Sequence, residues 1–215
     1  MDELELLKKQ WQSQEQELPQ LSYSDIYKML LKKSSSIMKW IFIISIAEIL
    51  FWTLLAFFVP ESSKKINDGI GLHNSFLIIN IINYAIFGGF IFLFYKNYRK
   101  IKVTDSIKEL MKNILNARKT VKYFVYYNIA AAALMIIGVN LYYYTHQEVL
   151  FQVMAENYPS FSSISSEKFA NAFFMMQFIF GIILIGLMLL FYRVVYGILL
   201  RRLKKNYKEL KKIEF

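Results

Sequence analysis

The stretch of sequence that decides the fold reads WIFIISIAEILFWTLLAFFV at residues 40–59, directly before Pro60. A helix needs roughly 20 apolar residues to cross about 30 Å of hydrocarbon, and this run meets that requirement. Three similar runs follow at residues 75–95, 123–144 and 169–192, the last of them open to extension. None shows the period-two alternation of a membrane β-strand, so the sequence predicts an all-α fold with four transmembrane helices.

Basic residues are distributed unevenly between the segments that join these runs. Of the 26 Lys and Arg residues, 6 lie in residues 1–39, 9 in residues 96–122 and 8 in the tail 193–215. The loops at residues 60–74 and 145–168 hold only the remaining three. Because cytoplasmic segments carry the excess of Lys and Arg, we predict both termini and the middle loop to be cytoplasmic and the other two loops to be outer.

Aromatic residues cluster at the ends of the predicted spans, where they are typical interfacial anchors. The set comprises Trp40, Tyr95, Tyr123, Tyr126, Tyr127, Tyr142, Tyr143, Tyr144 and Tyr192.

Each predicted cytoplasmic segment has the pattern of an amphipathic helix. Ser22 and Asp25 fit a capping box at the start of a helix that is predicted to run into the first span through residues 34–36. Thr104 with Asp105 is predicted to cap a helix in the middle loop. Apolar residues recur at helical spacing in all three segments. They are Leu4, Leu7 and Trp11; then Ile107, Leu110, Met111, Ile114 and Leu115; then Leu199, Leu203, Tyr207 and Leu210.

These apolar faces have two interpretations. They can pack on each other, or lie at the lipid interface with their lysines on anionic headgroups. Alternatively, Leu4, Leu7 and Trp11 dock on a soluble protein as a helix in a groove, with Lys8 and Lys9 on the rim. The basic residues lie beside the membrane without a nucleic-acid-binding motif, so we expect no direct contact with nucleic acid.

Glu48 is the one ionisable side chain deep within a predicted span, roughly 12 Å beyond Trp40. A carboxylate there is costly unless it is protonated or paired. Asn80, Asn83 and Tyr84 share one face of the second span, which can meet the Glu48 face near mid-membrane. One interpretation is a protonated Glu48 hydrogen-bonded to Asn83 or a neighbour as a link between helices. The other is a proton or cation site.

Few patterns in the chain point to catalysis. Cysteine is absent, and no phosphate-binding glycine loop or Gly-x-Ser-x-Gly elbow is present. His73 and His146 lie near the outer ends of spans, where they could share a metal with Glu148. Loop histidines are more often solvated, so we predict a protein that is not an enzyme and uses no cofactor or metal.

Three stretches of the N-terminal region resemble a group of uncharacterised bacterial four-span inner-membrane proteins. They read MDELELLKKQW at residues 1–11, DIYKM at 25–29 and KSSSIMKW at 33–40. Genes of this group often accompany an extracytoplasmic-function sigma factor, which implies a membrane-held anti-sigma or sigma-regulating role. Some members are labelled carotene monooxygenases, but the histidine cluster for that chemistry is missing here. The zinc-binding His/Cys motif of well-characterised anti-sigma proteins is equally excluded by the lack of cysteine.

We therefore expect a non-enzymatic regulatory protein of the bacterial inner membrane. Its cytoplasmic helices would bind a soluble partner, and a sigma factor is the candidate that the resemblance implies. One alternative is a small transporter or channel subunit that uses Glu48. Another is a structural protein that interacts with lipid. Anionic lipids of the cytoplasmic leaflet are expected partners in each case, and a homodimer is left open.

Overall fold

The computed structural model describes residue 5 and residues 22–161 and 163–213, and this part of the chain is helical without any strand. It contains six α-helices and one short 3₁₀ turn at Pro159–Phe161. The helices are α1 (Tyr23–Phe57), α2 (Glu61–Gly69), α3 (His73–Lys102), α4 (Ile107–Thr145), α5 (Gln147–Asn157) and α6 (Ser166–Ile213). The prediction of an all-α fold is confirmed for these residues.

Four of the helices are long and apolar enough to cross a membrane. They are α1, α3, α4 and α6, with 35, 30, 39 and 48 residues. In the bundle that they form, α1 and α4 each pack against both α3 and α6. The connections between sequential long helices alternate between the two ends of the bundle, as in other antiparallel bundles. The protein is thus a multi-pass membrane protein by the length and composition of its helices.

The helix capped by Ser22 and the amphipathic helices predicted for the middle segment and the tail are continuous with the spans. α1 starts at Tyr23, α4 starts at Ile107 and α6 ends at Ile213, so each long helix projects beyond its apolar run. We call the end of the bundle formed by residues 23–39, 96–122 and 193–213 the basic end. A change from apolar to basic residues marks the limit of the hydrocarbon, but it does not interrupt a helix that lacks Pro at that point.

The start of α1 agrees with its predicted cap, whereas the start of α4 does not. The Ser22 hydroxyl accepts a hydrogen bond from the Asp25 backbone N–H at 3.2 Å, and the Asp25 carboxylate accepts one from the Ser22 N–H at 3.3 Å. The cap of α4 is Ser106, whose hydroxyl accepts from the Glu109 N–H at 3.3 Å. Thr104, which was predicted as this cap, instead donates to the carbonyl of Lys100 and closes the end of α3.

Apolar faces at the basic end pack on each other. Side chains from all four long helices are fully buried there: Leu30, Met38, Ile101, Leu110, Ile114, Val121, Leu203 and Leu210. Mutual packing therefore accounts for most of the apolar faces of the middle segment and the tail, whereas Leu115 is 43% exposed. The predicted face of Leu4, Leu7 and Trp11 lies outside the described residues.

Two short helices occupy the segments that were predicted as outer loops. α2 and α5 pack together at the end of the bundle opposite the basic end. The hydroxyl of Tyr143 donates to the side chain of Asn67 at 2.8 Å, and Leu150 is buried beneath them. Gly71 has a φ of 84°, a backbone conformation that favours glycine, and it turns the chain from α2 into α3. The short, polar sequence of α2 lacks the apolar periodicity that would have predicted a helix.

Candidate functional site

Glu48 is held by two tyrosines of α6. Its side chain is 7% exposed, and the hydroxyl of Tyr196 donates to one carboxylate oxygen at 2.9 Å. The hydroxyl of Tyr192 donates to the other oxygen. Because Tyr192 and Tyr196 are four residues apart on one helix, both hydroxyls project toward the same face. Each oxygen of the carboxyl group thus has one phenol donor.

An aromatic layer joins this group to the other two long helices. The ring of Phe124 on α4 lies 6.4 Å from the ring of Tyr192 and 5.7 Å from that of Tyr196, measured between centroids. Phe94 on α3 packs edge-on against Phe124 at 5.3 Å. All of these side chains are buried, so four helices meet at a single level. We call Glu48, Phe94, Phe124, Tyr192 and Tyr196 the Glu48 junction.

The other polar residues predicted for this site do not contact Glu48. Asn83 accepts a hydrogen bond from the hydroxyl of Tyr127 at 2.6 Å, and Tyr84 is 3.1 Å from the hydroxyl of Thr53. Asn80 is exposed. The expected bond between Glu48 and Asn83 is therefore replaced by bonds to α6. The reason is the rotation of α1, which directs Glu48 toward α6. Contacts with α3 come from other faces of α1, through Phe42 against Tyr95 and Thr53 against Tyr84.

Sequence reasoning missed both tyrosine partners. Tyr192 ends an apolar run and was predicted to be an interfacial anchor, but it is 4% exposed. Tyr196 follows Arg193 and was placed in the basic tail, yet it is 1% exposed. The available signal was their spacing of four residues, which puts two hydroxyls on the face of a helix that must pack against another. That signal does not specify which helix lies opposite.

A groove opens beside the Glu48 junction, between α1 and α6. Its volume is about 770 Å³. Apart from Glu48, the Tyr192 hydroxyl and the indole of Trp52, every lining side chain is apolar, and Phe51, Phe180 and others are exposed along it. We call it the α1–α6 groove. Such a lining suits an acyl chain or another apolar molecule, whereas a hydrated cation would need several oxygen ligands.

A second polar contact links α1 and α6 nearer the end of the bundle. The side-chain amide of Asn206 donates to the hydroxyl of Ser34 at 3.0 Å, and both residues are buried. Ser34 and Glu48 are both on α1, and at 1.5 Å per residue the two contacts lie roughly 20 Å apart along that helix. Between them α1 buries the apolar side chains of Ile37, Met38 and Ile41. The two helices are therefore held in register both within the span and at the basic end.

Neither histidine belongs to a metal-ligating cluster in the described part of the chain. Within it, no group of three or more His, Asp or Glu residues is placed to hold a metal ion. His73 is 2.8 Å from the carboxylate of Asp68, and His146 stacks on the ring of Tyr142 at 4.3 Å. The proposed grouping of both histidines with Glu148 is not formed. Both are engaged by local neighbours at the end opposite the basic end.

The residues predicted to bind a partner cannot be placed on this framework. Leu4, Leu7, Lys8, Lys9 and Trp11 lie outside the described residues.

Comparison with known proteins places the chain in a family without assigning it an activity. No curated protein and no solved structure matches the chain. A family model described as Domain of unknown function (DUF8845) matches residues 24–215, which include every residue of the Glu48 junction. Since the match covers most of its length, the protein belongs to the DUF8845 family.

Proposed function

We propose that the protein is a non-enzymatic regulator in the bacterial inner membrane, with both termini in the cytoplasm, that passes a change in the bilayer to a soluble protein. The observation that carries this proposal is the continuity of α1, α4 and α6. Each runs unbroken from an apolar span into the basic end. Packed helices shift between discrete arrangements rather than deforming gradually. Movement of a span would therefore reach the basic end as displacement of the same helix.

The α1–α6 groove supports a signal that begins within the bilayer. An apolar occupant would contact α1 and α6 together, next to the hydrogen bonds that Glu48 accepts from Tyr192 and Tyr196. A ligand shifts an equilibrium between two arrangements only by its difference in affinity for them. An occupant that binds more tightly at one separation of α1 and α6 than at another would favour that separation. The relative position of the two helices at the basic end would then change.

Charge supports a soluble partner and the orientation of the termini. The net charge is +10, and most of the Lys and Arg residues belong to segments 1–39, 96–122 and 193–215. Such segments are retained in the cytoplasm, where they attract acidic surfaces. In this proposal Leu4, Leu7 and Trp11 form the anchor for the partner, with Lys8 and Lys9 on its rim. A sigma factor is the partner implied by the resemblance of the N-terminal region.

Photocrosslinking in cells tests this proposal. A photoreactive residue replaces Trp11 in the full-length protein, and a matched variant carries it at Ile164, which is exposed near the opposite end of the bundle. We expect one soluble protein, identified by mass spectrometry, to be captured from position 11 but not from position 164. The yield of this crosslinked protein from position 11 should change when the variant also carries Glu48→Gln. Capture of lipid alone, or of the chain's own segment 96–122, would contradict the proposal and favour a structural lipid-interacting protein.

A small transporter or channel subunit is the second candidate, because a carboxyl group is buried within a span. The apolar lining of the α1–α6 groove supports it less well, since an ion pathway needs polar groups along its length. This candidate predicts that Glu48→Gln abolishes a proton- or cation-dependent flux into vesicles while the protein stays folded. Unchanged flux in that variant would exclude it.

A further inference from the structure

A second cavity lies at the basic end, between α1 and α3, with a volume of about 360 Å³. Four lysines line it: Lys28, Lys32 and Lys39 from α1, and Lys102 from α3. Ser35, Ser36 and Tyr98 add hydroxyl groups to the same walls. We call this cavity the lysine pocket. Its size is at the lower end of the range for small-molecule sites.

Helix geometry explains why the lysines converge. Lys28, Lys32, Ser35 and Lys39 follow the spacing of residues that share one face of a helix. The opposite face of α1 carries buried residues such as Leu30 and Ile41, so the lysine face is directed away from the core. α3 packs alongside α1 and brings Lys102 to the same cavity.

Among the residues that the structure describes, no carboxylate forms an ion pair with these lysines. The ion pairs found there join His73 to Asp68 and Lys205 to Glu209, both outside the pocket. Asp25 is the acidic residue closest to Lys28 along α1, and it is already engaged by Ser22. Hydrogen bonds from the hydroxyl and backbone of Ser22 hold the pKa of Asp25 below its ordinary value, and the charge of Lys28 contributes a smaller lowering without forming an ion pair. Four ammonium groups around one cavity repel each other unless an anion lies between them.

The position of the pocket along the helices indicates where that anion comes from. Lys39 directly precedes Trp40, which is exposed at the start of the apolar run. Exposed Trp and Tyr at such positions lie at the level of lipid headgroups. Three residues further along each helix toward the apolar run, the rings of Phe42 on α1 and Tyr95 on α3 lie 5.9 Å apart between centroids. A headgroup in the pocket would leave its acyl chains beside these rings.

We infer that the lysine pocket binds the phosphate group of an anionic membrane lipid. Lysine binds phosphate as a point charge, and basic pockets between membrane helices are established sites for phosphate-bearing headgroups. The hydroxyls of Ser35, Ser36 and Tyr98 can donate to the remaining phosphate oxygens. Binding would fasten α1 to α3 at the boundary of the membrane. It requires no soluble partner, so its failure would leave the proposed regulatory role untouched.

Native mass spectrometry of the full-length protein tests the inference. The protein is released from vesicles containing equal amounts of phosphatidylglycerol and phosphatidylcholine, and the bound lipids are counted. The pocket variant carries Lys28→Gln, Lys32→Gln, Lys39→Gln and Lys102→Gln. The matched control removes the same charge from exposed lysines of the basic end outside the pocket, through Lys108→Gln, Lys112→Gln, Lys204→Gln and Lys208→Gln.

We expect wild type and the control to retain phosphatidylglycerol in preference to phosphatidylcholine. The pocket variant should bind phosphatidylglycerol about tenfold more weakly or worse, and arginine at the four pocket positions should restore binding. An equal loss in the control would overturn the inference, because it would indicate general surface charge. An arginine variant that keeps the wild-type melting temperature but fails to restore binding would also contradict it.

A second arm separates the two sources of phosphate. Inorganic phosphate is added to the protein in vesicles of phosphatidylcholine alone, and binding is measured by calorimetry. Absence of binding supports a lipid headgroup as the ligand. Binding that depends on the four pocket lysines would overturn the lipid and assign the site to a soluble phosphate.

Discussion

Removal of the two phenol hydroxyls from the Glu48 junction, by Tyr192→Phe and Tyr196→Phe, tests whether Glu48 holds α1 against α6. Both tyrosine rings are buried against Phe124, and phenylalanine keeps that contact. The substitutions therefore remove hydrogen-bond donors without opening a large cavity. Any loss of stability can be assigned to the bonds with the carboxyl group rather than to lost packing.

The size of the effect follows from the number of bonds and their burial. Hydrogen bonds between membrane helices contribute about 0.6 kcal/mol on average and about 1.7 kcal/mol at most. Bonds to charged groups in soluble proteins contribute about 1.5–3 kcal/mol. We expect each single variant, Tyr192→Phe or Tyr196→Phe, to lower the free energy of unfolding by about 1–2 kcal/mol. The double variant leaves the Glu48 carboxyl buried without a donor and should cost about 3–5 kcal/mol.

The assay is a double-mutant cycle with Glu48→Leu, read as the free energy of unfolding in mixed micelles titrated with SDS. Without the carboxyl group, the tyrosine hydroxyls have lost their acceptor, so replacing both by phenylalanine should be neutral or stabilising. The coupling between the tyrosine pair and Glu48 should then be about 3–5 kcal/mol, the full cost of the double variant in the presence of Glu48. Tyr127→Phe is the control, since it removes a bond to Asn83.

Two results would refute this reasoning. The first is a coupling below about 0.5 kcal/mol, which is the range of independent sites. The second is a coupling of Tyr127→Phe with Glu48 that equals that of the tyrosine pair. Either result would mean that the carboxyl group does not link α1 to α6 specifically.

Three further predictions concern the ends of the bundle. Asn206→Ala should lower the free energy of unfolding by about 1–3 kcal/mol, because it leaves the buried Ser34 hydroxyl without its donor. In the same SDS titration, the additional substitution Ser34→Ala should recover part of that loss. Ser22→Ala should cost about 1 kcal/mol in that assay by removing the cap of α1, and an unchanged midpoint would contradict it. Because the chain has no cysteine, Ser165→Cys should react with an impermeant maleimide on intact spheroplasts, whereas Ser24→Cys should react only after lysis; the reverse pattern would invert the proposed orientation.

The sequence by itself determined the class of fold and the number of spans. The length of an apolar run and the absence of period-two alternation are properties of consecutive residues. They can be compared with the thickness of the membrane without a tertiary structure. The Ser22 cap is equally local, since its bonds join residues three apart. Glu48 was recognisable too, because a carboxyl group in hydrocarbon is exceptional wherever it points.

What the sequence could not determine is which residues satisfy Glu48. Its partners are 144 and 148 residues away, and their selection depends on how α1 and α6 are rotated about their axes. Asn83 was an equally reasonable partner by chemistry, yet it bonds to Tyr127 on α4. Tyr192 was interpreted as an anchor because a tyrosine at the end of an apolar run has the same local sequence whether it faces lipid or the core.

Tertiary packing also decided how far the long helices extend and where short helices form in the predicted outer loops. Predicted span limits at residues 40, 123 and 192 follow composition. The sequence predicted that α1 continues through its limit and left this open for α6, so only the continuation of α4 was not anticipated. All three helices pass through these limits because their polar extensions bury apolar faces against each other. α2 forms opposite α5 for the same reason, although its own sequence is short and polar. Sequence thus determines which segments enter the hydrocarbon, since that depends on composition. Only the tertiary structure decides which helix faces contact each other, since each face is buried by residues that are distant in the chain.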